Sequence, residues 1–276
     1  MRYGKNVLVT GATSGIGLAV TQLYASLNYH VWGLSRSGTC DTPLSEQVHL
    51  FKVDVTNQES VEQGITHVWE EAIALTNEGI GIVIHCAGFG IGGAAEDTPL
   101  STAYSQFETN YFGVLRVNQV LLPLMRTLKR SLIVVLGSIA GRISIPFQSH
   151  YSATKFALEA YIEALRIEGK QFGIRATIIE AGDTKTPFTA KREIALPPNS
   201  PYEKQAHLSI EKMAYDEQHG YSPSKVAKAI LAISKKKSPP VRKPVGLSYA
   251  LLMILKRVLP DRLAESVITT MYMKKK

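Results

Sequence analysis

The sequence predicts an α/β fold in which a doubly wound parallel sheet is covered by helices on both faces. Short apolar runs alternate with amphipathic helical patterns along most of the chain, and this alternation is typical of a parallel sheet. The runs are apolar at successive positions, which indicates strands that are buried on both faces. The 276-residue chain shows no internal repeat and no flexible linker, so we expect one domain over residues 1–276.

The elements alternate in order from the amino terminus. A strand, "NVLVTG", precedes a helix, "GLAVTQLYASLN". Four more apolar runs ("HVWGLS", "VHLFKVDV", "GIVIHCAG" and "SLIVVLGS") and a last one, "IRATIIEAG", are predicted strands, and helical patterns lie near 58–76, 102–128 and 149–172. The stretch from about 183 to 220 shows no clear strand and is interrupted by prolines, which favours a substrate lid. Residues 247–276 are predicted to form a helical extension.

A glycine-rich loop, "TGATSGIG" (Thr10–Gly17), joins the first strand to the first helix. Glycines at such a junction permit a tight turn, and the helix N-terminus offers unpaired N–H groups to a phosphate. An ordinary strand–helix turn is the alternative, but this context favours a Rossmann-type dinucleotide site. The predicted cofactor contacts in the loop are Gly11, Thr13, Ser14, Gly15, Ile16 and Gly17.

The end of the second strand carries Ser35 and Arg36, with no acidic residue beside them. An acidic side chain there binds the ribose 2′-hydroxyl of NAD, whereas an arginine accommodates the 2′-phosphate of NADP. We therefore expect both residues to contact the cofactor and NADP to be favoured, although NAD stays open. Arg36 as a solvated loop charge is the alternative.

Four separated motifs resemble the short-chain dehydrogenase/reductase family: the glycine loop, the pair Asp54 and Val55, Asn110 in "FETNYFG", and Ser138 with Tyr151 and Lys155. The resemblance is strong from about residue 5 to 188, and it is greatest to a branch with 17β-hydroxysteroid and retinol dehydrogenases. It implies that Asn110, Ser138, Tyr151 and Lys155 are catalytic. Further cofactor contacts implied by the resemblance are Asp54, Val55, Cys86, Ala87, Gly88, Tyr151, Lys155, Gly182, Thr184 and Thr186.

Two positions depart from the pattern of the family. "HCAG" stands where the family has Asn-Asn-Ala-Gly, so Cys86 replaces the second asparagine, and Ala181 replaces the proline of a Pro-Gly pair. Neither change affects a residue that transfers a proton. His85 is expected to be a core histidine, with a ligand role as the alternative.

Tyr151 and Lys155 are four positions apart in a helical stretch, which puts them on one face. A free tyrosine has a pKa near 10, and a positive charge about 4–5 Å away supplies roughly the free energy needed to lower it towards neutrality. Lys155 is one such charge, and the nicotinium ring of an oxidised cofactor is another. We expect Tyr151 to be the acid/base, Ser138 to orient the substrate oxygen, and Lys155 to lower the tyrosine pKa. For an isolated Tyr-x-x-x-Lys, an ordinary surface pair is the alternative.

Apolar residues flank Ser138 and Tyr151 and predict a small lipophilic ketone or secondary alcohol of steroid, retinoid or lipid type as substrate. These residues are Phe89, Ile143, Ile145, Pro146, Phe147 and Phe188. One alternative is a reductase of 3-oxoacyl chains held on a carrier protein. Another is a dinucleotide-sensing regulator without turnover, which would have no need of the proton-transfer residues.

The net charge of +8 is compatible with an anionic surface or a phosphate-bearing ligand. The basic residues are not interleaved with aromatics as in nucleic-acid modules, and two cysteines without neighbouring ligands predict no metal site. We expect a cytoplasmic protein that forms a homodimer or homotetramer. The apolar and basic segment "LSYALLMILKRVLP", with the lysine tail Lys274–Lys276, is either a packed lid or subunit contact, which we favour, or a peripheral membrane contact.

Overall fold

A seven-stranded parallel sheet forms the centre of the protein in the computed structural model, which describes residues 2–273. Its strand order is β3-β2-β1-β4-β6-β7-β9, and a separate parallel pair joins β5 to β8. The strands are β1 (Asn6–Thr10), β2 (His30–Ser35), β3 (Val48–Lys52), β4 (Ile82–His85), β5 (Ile91–Gly92), β6 (Ser131–Ser138), β7 (Ile174–Ala181), β8 (Glu193–Ile194) and β9 (Arg242–Pro244).

Helices cover both faces of the sheet, as the sequence predicts. They are α1 (Gly15–Ala25), α2 (Gln58–Thr76), α3 (Leu100–Phe107), α4 (Gly113–Arg126), α5 (Ser149–Glu168), α6 (Glu203–Gln218), α7 (Pro223–Ser234), α8 (Leu247–Val258) and α9 (Asp261–Met273). One apolar layer lies between the sheet and α2, α4 and α5, and a second lies between the sheet and α1 and α7. The doubly wound prediction is therefore confirmed.

Three elements differ from what the sequence predicts. The single helix expected over 102–128 is two helices joined by a π-helical turn, Glu108–Phe112, with Asn110 at its centre. The expected lid without a strand contains β8 and a four-turn helix, α6. The basic segment around Arg242 supplies the last strand, β9, which pairs with β7 at the edge of the sheet. The basic composition of this segment did not indicate a strand, because an edge strand needs no apolar run.

The order of the strands reverses beside β1. Strand β2 lies on one side of β1, and β4 lies on the other side. The connections that leave β1 and β4 therefore run in opposite directions, and a crevice opens at the carboxyl ends of these two strands. Open α/β sheets bind their ligands at such a switch point. The glycine loop leaves β1 there, and Cys86 follows β4, with its N–H donating to the Thr10 carbonyl at 3.1 Å.

The C-terminal helices α8 and α9 pack over the same edge of the sheet. Met253 and Tyr249 of α8 contact Ile139 and Ile143 beyond β6, and Tyr272 of α9 is buried against Ala140 and Met213. None of the helices within residues 2–273 is long and apolar enough to cross a bilayer. The tail Lys274–Lys276 lies outside the described residues, and the homodimer or homotetramer stays a prediction.

Candidate functional site

The glycine loop is built for close approach by a ligand. A side chain at Gly17 would place its Cβ 2.1 Å from the Gly11 carbonyl oxygen, and Gly11 and Gly15 have positive φ angles of 67° and 54°. Helix α1 begins at Gly15, and its N-cap Ser14 makes no side-chain cap, so the first N–H groups of the helix stay open. A helix N-terminus of this kind binds phosphate, which fits a dinucleotide.

The adenosine end of the crevice carries the groups that distinguish the two cofactors. The Ser35 hydroxyl accepts a hydrogen bond from the Gly38 N–H at 3.1 Å, so it shapes the turn after β2. Arg36 is exposed on the wall of the cavity, and no carboxylate of the described residues lies within 4.0 Å of it. Asp54 accepts hydrogen bonds from the backbone and hydroxyl of Thr56, at 2.9 and 2.8 Å.

Ser138 and Tyr151 meet at the other end of the crevice. Ser138 is the last residue of β6, and its hydroxyl accepts a hydrogen bond from the Ala140 N–H at 3.1 Å. Tyr151 lies in the first turn of α5, and Lys155 follows one turn later on the same face. The Lys155 ammonium donates to the Leu136 carbonyl at 2.9 Å, which anchors α5 to β6.

The expected net fall of the Tyr151 pKa towards neutrality is not found in the protein without cofactor. Burial raises the pKa of Tyr151 to about 12, and hydrogen bonding with Ser138 opposes only part of that rise. Burial also lowers the pKa of Lys155 to about 8, since a buried ammonium loses its hydration. Desolvation therefore outweighs the attraction that the spacing suggested, and Tyr151 is a neutral phenol at physiological pH.

Asn110 lies behind this site and does not line the cavity. Its side-chain oxygen accepts from the Phe89 N–H at 3.0 Å, while its amide donates to the Phe89 carbonyl at 3.0 Å and to the Thr154 hydroxyl at 3.3 Å. The side chain thus holds the loop after β4 against α5. Its proposed catalytic role stays a prediction, and any such role passes through the groups that it positions.

A single cavity of about 1040 Å³ runs from the glycine loop to Tyr151. All the other predicted site residues line it. They are Gly11, Thr13, Ser14, Gly15, Ile16, Gly17, Ser35, Arg36, Asp54, Val55, Cys86, Ala87, Gly88, Ser138, Tyr151, Lys155, Gly182, Thr184 and Thr186. Within residues 2–273, no cluster of three or more histidine, cysteine, aspartate or glutamate side chains is placed so that it could hold a metal ion.

The substrate end of the cavity is partly as expected. Phe89, Ile145 and Phe188 line it, whereas Ile143 is buried against Met253, and Pro146 and Phe147 lie outside the lining. Five further residues line the cavity without being predicted from the sequence: Gln148, Asp183, Met213, Glu217 and Tyr272. Met213, Glu217 and Tyr272 come from α6 and α9, where no motif marks them and only the tertiary fold brings them to β6.

The departure from the family pattern at His85 and Cys86 is accommodated. His85 is buried, and its Nε2 forms a 3.0 Å hydrogen bond with the Asn118 side chain, so it is a core histidine. Burial lowers the pKa of His85 to about 4, which keeps the ring neutral. Cys86 lines the cavity and packs close to Gly17.

Comparison with known proteins points to one family. The short chain dehydrogenase family model matches residues 5–196. A 3-ketodihydrosphingosine reductase from Bacteroides thetaiotaomicron is 35% identical over 269 residues, covering 96% of this chain and 97% of the relative. Human retinol dehydrogenase 8 is 29% identical over 274 residues, covering 92% of this chain and 85% of the relative.

A solved structure of similar architecture agrees with these sequence relatives. A short-chain dehydrogenase from Streptomyces avermitilis superposes with a TM-score of 0.77 at 26% identity, covering 97% of this chain and 96% of that one. The family model spans well over half of the chain, including the glycine loop and the Ser138, Tyr151 and Lys155 positions. The chain therefore belongs to the short-chain dehydrogenase family and is an oxidoreductase.

Proposed function

We propose that the protein is an NADP-preferring reductase of lipophilic ketones, or the dehydrogenase of the matching secondary alcohols. The observation that carries the proposal is the position of Ser138 and Tyr151 between a dinucleotide crevice and an apolar wall. That wall comprises Phe89, Ile145, Phe188, Met213 and Tyr272. A carbonyl that reaches Ser138 has its carbon chain against these side chains, because apolar surface is stabilised by leaving water.

The residues of the chain supply geometry and a proton. When bound, the nicotinamide cofactor supplies the hydride that reaches the carbonyl carbon. Ser138 donates a hydrogen bond to the carbonyl oxygen, and Tyr151 transfers its phenolic proton to that oxygen as negative charge develops. Lys155 holds a positive charge nearby that stabilises the phenolate left behind. Oxidation of the alcohol runs through the same groups in reverse.

NADP preference is supported by Arg36 on the cavity wall, since its guanidinium has no carboxylate partner within the described part of the chain. A guanidinium binds a phosphate through charge-assisted hydrogen bonds. The names of the relatives agree with a lipophilic substrate, because one acts on 3-ketodihydrosphingosine and another on retinol.

The experiment is a substrate screen with purified protein, in which nicotinamide absorbance is followed with NADPH and with NADH. The panel contains a steroid ketone, a retinal, a long-chain 3-ketone, a 3-oxoacyl carrier thioester and a keto sugar. We expect turnover of one or more lipophilic ketones, with NADPH the better cofactor. Turnover confined to the carrier thioester or the sugar contradicts the proposed substrate class.

Tyr151→Phe tests the chemistry in the same assay. The change removes only the phenolic oxygen, so we expect cofactor binding to persist and turnover to fall at least the 10²-fold typical of a general acid. Tyr161→Phe is the matched control, because Tyr161 lies on the same helix and hydrogen-bonds Asn118 instead of lining the cavity. Near-normal turnover of Tyr151→Phe removes the tyrosine from the mechanism.

A further inference from the structure

Carboxylates line the substrate end of the cavity, although the protein as a whole carries a net charge of +8. Asp183, Glu193 and Glu217 line this end, and the cations Lys155 and Lys191 also line the cavity. Glu193 and Lys191 are exposed. An apolar substrate makes no use of carboxylates, and the partial burial of Asp183 and Glu217 is costly unless a charge compensates. Their position beside the reacting groups therefore needs a chemical reason.

Glu217 is the carboxylate most directly connected to the reacting groups. The Tyr151 ring lies 5.8 Å from the Phe188 ring, and the Arg192 guanidinium lies 5.9 Å from the Phe188 ring on the way to Glu217. Arg192 donates to the Glu217 carboxylate, and the Thr189 hydroxyl donates to its other oxygen at 2.5 Å. These contacts fix the carboxylate on the cavity wall.

The charges around Glu217 do not balance. Arg192 forms an ion pair with Glu217. Asp216, the residue before Glu217, forms an ion pair with Lys212, which lies one turn before Asp216 on α6. The third carboxylate, Asp183, accepts from the Tyr249 hydroxyl at 2.5 Å, and no cation of the described residues lies within 4.0 Å of it. Burial raises the pKa of Asp183. Asp183 is therefore the carboxylate of this wall that has no paired cation within the described part of the chain.

A second feature of this wall is independent of the carboxylates. Gln148 lines the cavity three positions before Tyr151 and is only 4% exposed. Its amide nitrogen is buried and has no hydrogen-bond partner among the described residues. Buried donors in native proteins are nearly always paired, so an unpaired amide on the wall of a cavity indicates a polar partner that arrives with the ligand.

We propose that Glu217, with the unbalanced charge of Asp183, binds an ammonium group adjacent to the carbonyl of the substrate, and that Gln148 donates to a neighbouring oxygen. This rests on the proposed function and narrows its substrate class to long-chain amino ketones. A carboxylate without a paired cation binds an ammonium and repels the phosphate of a carrier-bound thioester. The ammonium binds the carboxylates, and the reduction itself is unchanged.

The test compares two ketones of equal chain length. One is 3-ketodihydrosphingosine, whose ammonium lies on the carbon next to the ketone, and the other is the same 3-ketone without the amine. A charge-assisted hydrogen bond of about 1.5–3 kcal/mol corresponds to roughly a 10- to 150-fold preference in kcat/KM for the amino ketone. A wild-type ratio near one or below it overturns the inference, whatever the variants show.

Glu217→Gln then identifies the group responsible. It keeps the shape of the side chain and removes its charge, so the preference for the amino ketone falls at least tenfold, mainly through KM. Glu211→Gln is the matched control, since Glu211 is an exposed carboxylate on the same helix, and it keeps the wild-type preference. A Glu217→Gln variant that keeps the full preference also overturns the inference.

The two proposals fail in different ways. Equal turnover of both ketones leaves the lipophilic ketone reductase in place and removes the ammonium site. Failure to turn over either ketone, together with every other lipophilic ketone of the screen, overturns the proposed function itself.

Discussion

The Lys155 ammonium lies 5.6 Å from the centre of the Tyr151 ring, and Lys155 is buried while Tyr151 is partly buried. Burial acts on them in opposite directions, because it raises the pKa of the phenol to about 12 and lowers that of the ammonium to about 8. The phenol therefore keeps its proton throughout the neutral range. Lys155, and not Tyr151, is the member of the pair that titrates near physiological pH.

The first prediction is a loss of reductase activity above pH 8. A lysine with a pKa of about 8 loses its positive charge as the pH rises through that value, and the developing phenolate then loses its support. We expect kcat/KM for ketone reduction to be flat from pH 6 to about 7.5 and to fall above pH 8. The kcat/KM profile for the ketone reports groups of the enzyme before the ketone binds, so it is the profile to measure.

Lys155→Arg is the control for this assignment. A guanidinium stays protonated over the whole range, so the fall above pH 8 should disappear even if the overall rate is lower. A fall that persists unchanged in Lys155→Arg would assign the titration to another group.

The second prediction concerns stability without cofactor. In the unfolded chain Lys155 keeps its proton up to its ordinary pKa of 10.5, whereas in the folded chain its pKa is about 8. Between these pH values the unfolded chain binds more protons, so the free energy of unfolding of the wild type rises with pH. Below pH 8 the buried charge destabilises the fold. Lys155→Met removes that charge and also the Leu136 hydrogen bond, and we expect a net gain on the order of 1–2 kcal/mol at pH 7.

Urea unfolding at several pH values measures this gain, which should shrink between pH 8 and 10.5. Lys204→Met is the matched control, because Lys204 is exposed on α6 and its loss should leave stability nearly unchanged. If Lys155→Met is less stable than the wild type at pH 7, the ammonium is better solvated than its burial indicates.

The sequence predicted the cofactor half of the cavity better than the substrate half. Local rules place the glycine loop, Arg36, Ser138 and Tyr151, because each follows a strand or opens a helix, and parallel strands end at a common edge. Glu217 and Tyr272 obey no such rule. They reach the cavity only because α6 and α9 pack against each other beside β6, and this packing is a tertiary contact without a local signature.

Two errors have the same physical origin. The last strand, β9, is short and basic, and its identity comes from pairing with β7, which composition does not reveal. The Tyr151 pKa was expected to fall because the spacing shows Lys155 but not the burial of both groups. Desolvation depends on every neighbour in space, so it becomes visible only in the structure.

The third prediction concerns cofactor choice. Arg36 is exposed beside the glycine loop, so we expect the wild type to bind NADPH more tightly than NADH. Arg36→Ala removes a charge-assisted contact of about 1.5–3 kcal/mol, which lowers the preference roughly 10- to 150-fold. Fluorescence titration with both cofactors measures the ratio directly.

Arg130→Ala is the control for cofactor choice. Arg130 is also exposed, but it immediately precedes β6 at the opposite end of the strand from Ser138, so the ratio should stay at the wild-type value. A wild type that prefers NADH would show that Arg36 is an ordinary solvated charge.

The C-terminal helices present apolar side chains outward as well as inward. Tyr249 and Met253 of α8 and Tyr272 of α9 face the protein, in agreement with a packed extension.

The opposite side, here called the outer face, exposes Leu247, Leu251, Ile254, Leu255 and Val258 of α8 and Leu263, Val267 and Met271 of α9. Lys256, Arg257 and Arg262 accompany them. An apolar face with basic neighbours is typical of helices that lie on anionic membranes.

The last prediction is therefore that the protein binds vesicles containing phosphatidylserine, and that this binding weakens as salt screens the basic residues. The double change Leu251→Gln and Ile254→Gln should weaken it at least tenfold, because each buried leucine-sized side chain is worth about 1.5–3 kcal/mol. Ile167→Gln is the control, since Ile167 is 77% exposed on α5, away from the outer face. If vesicles do not bind and the double change instead alters the molecular mass in light scattering, the outer face is a subunit contact.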